Sequence, residues 1–245
     1  MGLLLDGPPA TIEDLSARDS DLLAVANAEG MDLTVKLRLA SDEIAMSIAP
    51  MLNSNGCPSL RQVAVTPQLT SWHIYTTLRL IYQDLYFSRL NDRYQAKMNL
   101  FRDAEAVAFD ALRTAGLGVV FDPVPQASTP TVGTVTSNNT GGTFYAGVTL
   151  VNRASEEGLM SIPVQVDTET GSAATFSMPS VPSNAVGWNL FAGVAPDCLT
   201  RQNADVLQPD ASISLSPERL VDGAPHRCGQ QANTFYPMPR RILRG

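Results

Sequence analysis

The sequence is poor in histidine and cysteine, two residue types that often serve in catalysis and metal binding. Two histidines and three cysteines occur among 245 residues. The cysteines are Cys57, Cys198 and Cys228. A low and odd number of cysteines without a signal peptide indicates a reducing compartment and unpaired thiols. A bond between Cys198 and Cys228 is the alternative if the protein acts outside the cell.

The few histidines do not complete a metal site. His73 lies in an aromatic helical segment, where we expect a packed side chain or one at an interface. His226 precedes Cys228 by two residues, and with Cys198 it would supply three zinc ligands. Structural zinc sites use four ligands and typically contain C-x-x-C pairs, which this sequence lacks. We therefore predict no metal and no cofactor.

Sequence motifs of common enzyme classes are also missing. The chain contains no G-x-S-x-G, no H-E-x-x-H, no P-loop and no Rossmann glycine pattern. Acid pairs such as Asp42–Glu43 and Glu156–Glu157 are adjacent in sequence, and adjacent residues on a helix do not face each other. We therefore predict no catalytic residues and no enzyme activity.

Long apolar runs and an excess of positive charge are absent as well. No apolar stretch reaches the roughly eighteen residues that a transmembrane helix needs, and the opening MGLLLDGPPA lacks the basic region of a signal peptide. The net charge of −7 provides no general attraction to nucleic acid or to anionic lipid. We expect no membrane association, and contact with DNA only where it is local.

The first half of the sequence contains a succession of helix signals. A capping-box-like start occurs at Thr11, a glycine stop at Gly30 and an N-cap at Asp32. A further helix begins with Pro67 at its first position, which proline tolerates well. We predict an all-α helical bundle over residues 1–122.

The helix that begins at Pro67 is apolar over a wide arc. It carries an aliphatic stripe and, beside it, an aromatic one: Ile74, Leu78, Ile81 and Leu85, then Trp72, Tyr75, Tyr82 and Tyr86. A helix with so wide an apolar arc is buried on two sides. We therefore predict that the aromatic stripe contacts a neighbouring subunit. The alternative is a central helix in a monomeric bundle.

The second half of the sequence changes in character. Prolines accompanied by serine and threonine over residues 123–130 indicate a linker. Short β-like runs separated by turn residues follow, and they predict an all-β sandwich over residues 131–245. The fold class is therefore multidomain, with a helical bundle first and a β-sandwich second.

The stretch GWNLFAGV shows the β pattern clearly. Trp188 and Leu190 alternate with Asn189 and Phe191. Strict alternation is typical of a strand with one buried face. We expect Trp188 inside the sandwich and the other face exposed.

The C-terminal stretch PMPRRILRG carries a local concentration of positive charge without an acidic residue. The candidate contact residues are Arg240, Arg241, Ile242, Leu243 and Arg244. An exposed, solubilising tail is one interpretation. The other is a docking tail, whose arginines bind acidic or backbone acceptors while the Ile–Leu pair fills an apolar slot.

The order and register of the helical motifs form a pattern of their own. A short helix ends in acid-Gly, and a D-L-x-x-K-L-x-L-A helix follows it. A long aromatic helix then leads through L-N-D-R-Y-x-x-K into the last helix. Over roughly residues 11–120 this pattern resembles the head–tail connector (adaptor) proteins of long-tailed bacteriophages. The motifs are packing patterns rather than catalytic signatures.

The β half carries a second pattern. GWNLFAGVAPDCLTRQN combines an aromatic–Asn–aliphatic–aromatic strand with an L-T-x-Q-N turn, and GQQANTFYPMPRRILRG closes the chain. Residues 130–245 are similar to the fibronectin III/immunoglobulin-like domains fused to phage structural proteins.

These resemblances imply a structural virion protein made in the host cytoplasm. It would form a ring of about twelve copies at the neck, which is a closed heterologous assembly. Its partners would be the portal protein on one side and tail terminator, stopper or other neck proteins on the other. DNA would pass through the lumen without sequence-specific binding. A large β domain departs from simpler adaptors, which are little more than the helical body.

Two other classes of function stay open from the sequence. One is another phage structural or surface binding protein whose sandwich recognises sugar or protein, which predicts a monomer or trimer with an exposed aromatic patch. The other is an enzyme with a helical catalytic domain, which predicts a cleft holding acidic residues of raised pKa. A measurement of the mass of the assembly is the simplest experiment that distinguishes these classes.

Overall fold

The computed structural model describes residues 2–53, 59–89 and 92–238. The chain forms two compact units. The helical unit consists of Leu3–Phe121 together with the residues from Ala232 onward, and the β unit consists of Asp122–Gln231. The predicted layout of helices followed by antiparallel sheets is confirmed.

Helices and strands follow one another along the chain in the expected order. The α-helices are α1 (Ile12–Ser16), α2 (Leu22–Glu29), α3 (Leu33–Asn53), α4 (Pro67–Arg89) and α5 (Gln95–Ala115). The strands are β1 (Leu117–Val119), β2 (Thr131–Thr136), β3 (Gly142–Asn152), β4 (Val164–Thr168), β5 (Ser172–Ser177), β6 (Ala185–Gly193), β7 (Thr200–Arg201), β8 (Ser212–Leu215) and β9 (Thr234–Tyr236).

Local side-chain chemistry sets the helix ends. Thr11 and Asp14 form a reciprocal capping box at the start of α1. Gly30 ends α2 in the left-handed conformation, with φ of 67°. The Asp32 carboxylate accepts from the backbone N–H of Thr34 at 2.8 Å and so caps α3. The helix starts and stops predicted from these residues are confirmed.

Helix α4 packs against both α3 and α5 and contributes to two apolar clusters. The first cluster includes Leu37, Leu78, Ile81, Tyr82 and Phe101. The second includes Ile48, Leu69, Trp72, Ala108 and Leu112. Since α4 supplies residues to both clusters, it is the central helix of the unit.

A small antiparallel sheet completes the helical unit. Strand β1 pairs with β9, and Gly118 lies opposite Phe235. A side chain at Gly116, whose φ is 86°, would meet the Tyr236 carbonyl oxygen at 2.9 Å. Met238 is buried in the second helical cluster. The chain therefore returns to the helical unit after it has formed the β unit.

The β unit contains two antiparallel sheets with a shared core. One sheet has the order β2–β5–β8 and the other β4–β3–β6–β7. Their facing side chains meet in one cluster that includes Phe144, Phe176, Trp188 and Leu190. The rings of Phe144 and Phe176 lie edge to face at 6.2 Å. Trp188 is fully buried, as predicted.

Strand β6 differs from the sequence prediction, because both of its faces are buried. Asn189 donates to Glu157 at 2.6 Å and accepts from Asn203 at 2.8 Å. The Phe191 ring meets the His226 ring edge to face at 6.1 Å. The face that alternation assigned to solvent is therefore covered by polar partners and by a segment close to the end of the unit.

Two segments also lie elsewhere than the sequence predicted. Val124 and Ala127, within the expected 123–130 linker, are buried in the core of the β unit. The Val124 N–H donates to the Gln230 side chain at 2.6 Å. Residues 232–238, expected in a sandwich spanning 131–245, belong to the helical unit because β9 pairs with β1.

Candidate assembly surface

The face of α3 that points away from the core exposes three large apolar side chains among polar ones such as Arg38 and Asp42. Val35, Leu39 and Met46 are exposed, Met46 to 68%. They follow one another at spacings of four and seven residues, which places them on one side of the helix. We call these three residues the α3 stripe. Leu37 and Ile44, which the sequence pattern grouped with Val35 and Leu39, are buried on the other side.

A shallow, open depression of about 640 Å³ lies beside the α3 stripe. It is lined by residues of α3 and one of α4: Leu39, Asp42, Glu43, Ala45, Met46 and Leu80. An open depression with an apolar floor and carboxylates at its edge suits a protruding apolar side chain of another protein surface.

Helix α5 carries a second exposed apolar face. Leu100 and Val107 are exposed to 60% and 70%. Ala104 is half-buried, and Ala111 is exposed. The spacing of four, three and four residues places all four on one side of the helix. We call these four residues the α5 stripe.

The position of Val107 corrects a sequence prediction. The apolar spacing of residues 95–115 predicts Val107 on the inner face of α5, together with Phe101 and Leu112. Phe101, Ala108 and Leu112 are buried in the core, and Val107 is exposed. Val107 precedes Ala108 by one residue, which turns it about 100° away from the core side. Its apolar side chain therefore belongs to a surface.

Ion pairs hold the three long helices in a fixed relation. Arg79 of α4 donates to Glu43 of α3 at 2.7 Å and contacts Glu105 of α5 at 2.6 Å. Lys36 of α3 contacts Asp84 of α4 at 2.8 Å. One arginine thus bridges the helices that carry the two stripes. The two stripes therefore lie on helices that are joined through α4.

The predicted aromatic interface is wrong for Tyr82. Its side chain is fully buried, and its phenol O–H donates to the buried Asp19 carboxylate. Lys97 donates to the same carboxylate at 2.7 Å. Burial, reinforced by the hydrogen bond to Asp19, raises the pKa of Tyr82 to about 12. This chain alone supplies the polar partner that the phenol needs.

The other members of the aromatic stripe divide between core and surface. Trp72 is buried, with its ring 4.9 Å from that of Phe109. The interface prediction is therefore wrong for Trp72 too. Tyr75 and Tyr86 are half-buried at the edge of the core. A central helix within one chain accounts for this stripe better than a neighbouring subunit does.

The buried His73 side chain belongs to the packing between α3 and α4. Its Nε2 lies 3.0 Å from the Leu37 carbonyl oxygen and 2.9 Å from Ser41 Oγ. Burial, partly offset by the hydrogen bond to Leu37, lowers the pKa of His73 to about 4. The ring is therefore neutral at physiological pH, and the prediction of a packed histidine is confirmed.

The remaining candidate groups do not form a second site. Cys198 and Cys228 are exposed free thiols, and Cys57 lies outside the described residues. The predicted contact residues Arg240, Arg241, Ile242, Leu243 and Arg244 lie outside them as well. Across residues 2–53, 59–89 and 92–238, no group of three His, Cys, Asp or Glu side chains is placed to hold a metal. No helix within these ranges is both long and apolar enough to cross a bilayer.

Sequence reasoning did not identify either stripe. The apolar pattern groups Val35, Leu39 and Val107 with the core residues of their helices, and it assigns no role to the other members of the two stripes. A sequence signal for such a surface is an apolar residue that lies outside the side of the helix assigned to the core. Leu39 in α3 and Leu100 in α5 are examples. Such residues at helical spacing then predict a second apolar face.

Comparison of the chain with protein-family models, with curated proteins and with solved structures found no match. The two stripes and the sequence patterns described above are therefore the features that bear on function. Both concern packing and assembly rather than chemistry at a catalytic centre.

Proposed function

We propose that the chain is a structural virion protein, a head–tail adaptor whose helical unit forms a ring of about twelve copies. The ring lies between the portal protein and the tail terminator, stopper or other neck proteins, and DNA passes through its lumen. The observation that carries the proposal is the pair of exposed apolar stripes on α3 and α5. Scattered apolar residues on a surface are ordinary, but two stripes at helical spacing favour an interface.

The number of stripes matters for the kind of assembly. A ring closes through a heterologous contact, in which one surface of each copy meets a different surface of the next. A copy therefore needs two distinct surfaces on different sides of the subunit. Helices α3 and α5 both pack on α4, and each carries one stripe on its outer side. The α3 stripe of one copy would then meet the α5 stripe of the next.

The charge of the chain agrees with a passage for DNA. A net charge of −7 disfavours tight binding of phosphates along a lumen. A lumen that released DNA slowly would hinder its ejection.

The β unit is proposed to be an accessory domain of immunoglobulin or fibronectin III-like architecture. Support comes from its seven strands in sheets of three and four around a buried tryptophan. The order of its strands is different from the constant-type immunoglobulin order. There the first two strands share a sheet, whereas β2 and β3 lie in different sheets. The proposal therefore concerns the architecture and not the exact topology.

The ring is tested with native mass spectrometry and electron microscopy of the full chain, alone and mixed with a portal protein. We expect rings of about twelve copies in at least one condition. Leu39→Asp and Val107→Asp should each abolish the rings, because a carboxylate replaces an apolar contact in one stripe. Val194→Asp is the matched control, since Val194 is an exposed valine of the β unit.

Mixing the two stripe variants identifies the contact as heterologous. A Leu39→Asp copy keeps an intact α5 stripe, and a Val107→Asp copy keeps an intact α3 stripe. The intact α5 stripe of the first variant can bind the intact α3 stripe of the second, and no further copy can be added at either end. The mixture should therefore give heterodimers and no rings. A chain that stays monomeric on every portal protein offered, its cognate included, would overturn the adaptor proposal. Variants that assemble like the unmodified chain would show that the stripes are not the interface.

A further inference from the structure

Strand β2 is exposed along its whole length. Each residue of Thr131–Thr136 is exposed, although the strand is paired with β5 over all six positions. It is an edge strand of the β2–β5–β8 sheet. Within the described residues, no strand pairs with its other edge. The outward N–H and C=O groups of such a strand can pair with another chain.

Natural edge strands usually carry features that prevent pairing, such as charges, internal prolines or bulges. Strand β2 reads TVGTVT, with neither charge nor proline, and its register with β5 has no bulge. Strand β4, an edge of the other sheet, contains Asp167, which accepts from Thr143 at 2.6 Å. Strand β8, the other edge of the same sheet, also lacks charge and proline, but its Ile213 is half-buried and its Leu215 is buried, so β2 is the more exposed of the two uncharged edges.

The side chains on one face of β2 provide a notch and a knob. Gly133 and Val135 are two residues apart and therefore share a face. A side chain built at Gly133 would have only the Thr175 carbonyl oxygen within reach, at 4.0 Å. The space above Gly133 is thus open, while Val135 protrudes and is 42% exposed. The open space at Gly133 and the protruding side chain of Val135 lie on either side of Thr134. The strand is therefore complementary in shape to the same strand of a second copy.

We propose that β2 pairs antiparallel with β2 of a second copy of this chain, about a two-fold axis at Thr134. In this register Val135 of each copy lies opposite Gly133 of the other and fills its notch. On the other face Val132 lies opposite Thr136, and β-branched residues facing each other favour strand pairing. No like charges face each other, because the strand carries none. The two three-stranded sheets join into one sheet of six strands.

This contact goes beyond the adaptor function and is separate from the stripe contact. A two-fold contact uses the same surface on both copies and cannot by itself close a ring. It therefore joins copies in pairs when they are free in solution. The paired area of one short strand is small, so the dimer is weak and reversible.

The first test isolates the β2 contact. The full chain carrying both Leu39→Asp and Val107→Asp is studied by sedimentation velocity over a concentration series. We expect a reversible monomer–dimer equilibrium. Val135→Lys removes the knob and adds like charges, and Thr134→Lys places two lysines opposite each other at the axis; each should weaken the association constant at least tenfold. Val194→Lys is the matched control and should leave it unchanged.

A second test reads the register directly. In a chain whose native Cys57, Cys198 and Cys228 are replaced by serine, Thr134→Cys should form a disulfide between two copies under mild oxidation, because the residue lies opposite itself at the axis. Thr131→Cys is the matched control. Its two copies would lie about 20 Å apart, at 3.4 Å per residue along the strand. Only the first variant should give a dimer that reducing agent separates.

Several outcomes would overturn the β2 dimer. They are a double stripe variant that stays monomeric at every concentration, a Thr134→Lys chain that dimerises unchanged, or equal cross-linking of both cysteine variants. Circular dichroism and Trp188 fluorescence confirm that each variant is folded. The ring experiment is repeated in the Thr134→Lys chain, so that loss of the strand contact and loss of the stripe contact are observed separately.

Discussion

The helical unit and the β unit leave different kinds of surface uncovered. The helical unit satisfies its backbone within the helices and leaves apolar side chains exposed along α3 and α5. The β unit buries its largest apolar side chains, Trp188, Phe144 and Phe176, between two sheets and leaves a backbone edge exposed at β2. Helices therefore offer side-chain contacts for assembly, and open sheets offer hydrogen-bonding edges. The two units of this chain would bind copies of themselves in these two different ways.

The units also differ in the polar groups that connect their elements. Ion pairs connect the helices, as Arg79 does with Glu43 and Glu105. Carboxamides connect the strands: the Asn203 side chain accepts from the Leu190 N–H at 2.7 Å and donates to Asn189. Changes of pH should therefore act more strongly on the helical unit, where charged and titratable groups are packed between helices.

The two tryptophans allow the units to be observed separately. Trp72 is buried in the helical unit and Trp188 in the β unit, and the chain contains no third tryptophan. A Trp72→Phe chain reports on the β unit, and a Trp188→Phe chain reports on the helical unit. The following predictions use these two reporter chains.

Phe176→Ala should produce the largest separation between the units. Phe176 is fully buried against Phe144 in the β-unit core, and truncation of such a residue costs roughly 3–5 kcal/mol. Urea unfolding followed by Trp188 should shift by that amount, while the Trp72 transition stays in place. A shift of both transitions together would show that the units unfold as one.

Lowering the pH should destabilise mainly the helical unit. The pKa of buried His73 is lowered from 6.5 to about 4, so the unfolded chain binds a proton that the folded chain refuses. Its contribution to stability is intact above pH 6.5 and is lost as the pH falls toward 4. At about 1.4 kcal/mol per pKa unit, the loss approaches ~3 kcal/mol.

The control for this pH effect is His73→Gln, which keeps an N–H donor for the Leu37 carbonyl and does not titrate. Urea unfolding followed by Trp72 should lose most of its pH dependence between 6.5 and 4 in this variant. An unchanged pH dependence would assign the effect to carboxylates instead.

Met238→Ala should have the smallest of these effects, and it tests whether the residues that follow the β unit belong to the helical unit. Met238 follows the β unit in sequence but is buried in the second helical cluster. Truncation of a buried methionine costs about 2 kcal/mol or somewhat more. The Trp72 transition should shift, and the Trp188 transition should not. Ile162→Ala, at an exposed position of the β unit, should move neither.

Much of the secondary structure could be predicted from the sequence, because its signals are local. The Thr11 capping box and the left-handed Gly30 act within a few residues of the chain. Strands such as β5 and β6 were evident from short β-branched and aromatic runs between turns. The candidate site was predicted poorly, since Trp72 and Tyr82 were assigned to an interface and are core residues.

The sequence by itself determined several helix boundaries, at Thr11, Gly30, Asp32 and Pro67, and that helices precede sheets. The tertiary structure alone decided which apolar face is covered: Leu37 is buried, whereas Leu39, two residues along, is exposed. It alone decided that the end of the chain returns to the helical unit, where the Phe121 N–H donates to Asn233, 112 residues away. Periodicity records how side chains are spaced along an element. Whether a face is covered depends on residues that are distant in sequence, and the local spacing contains no information about those residues.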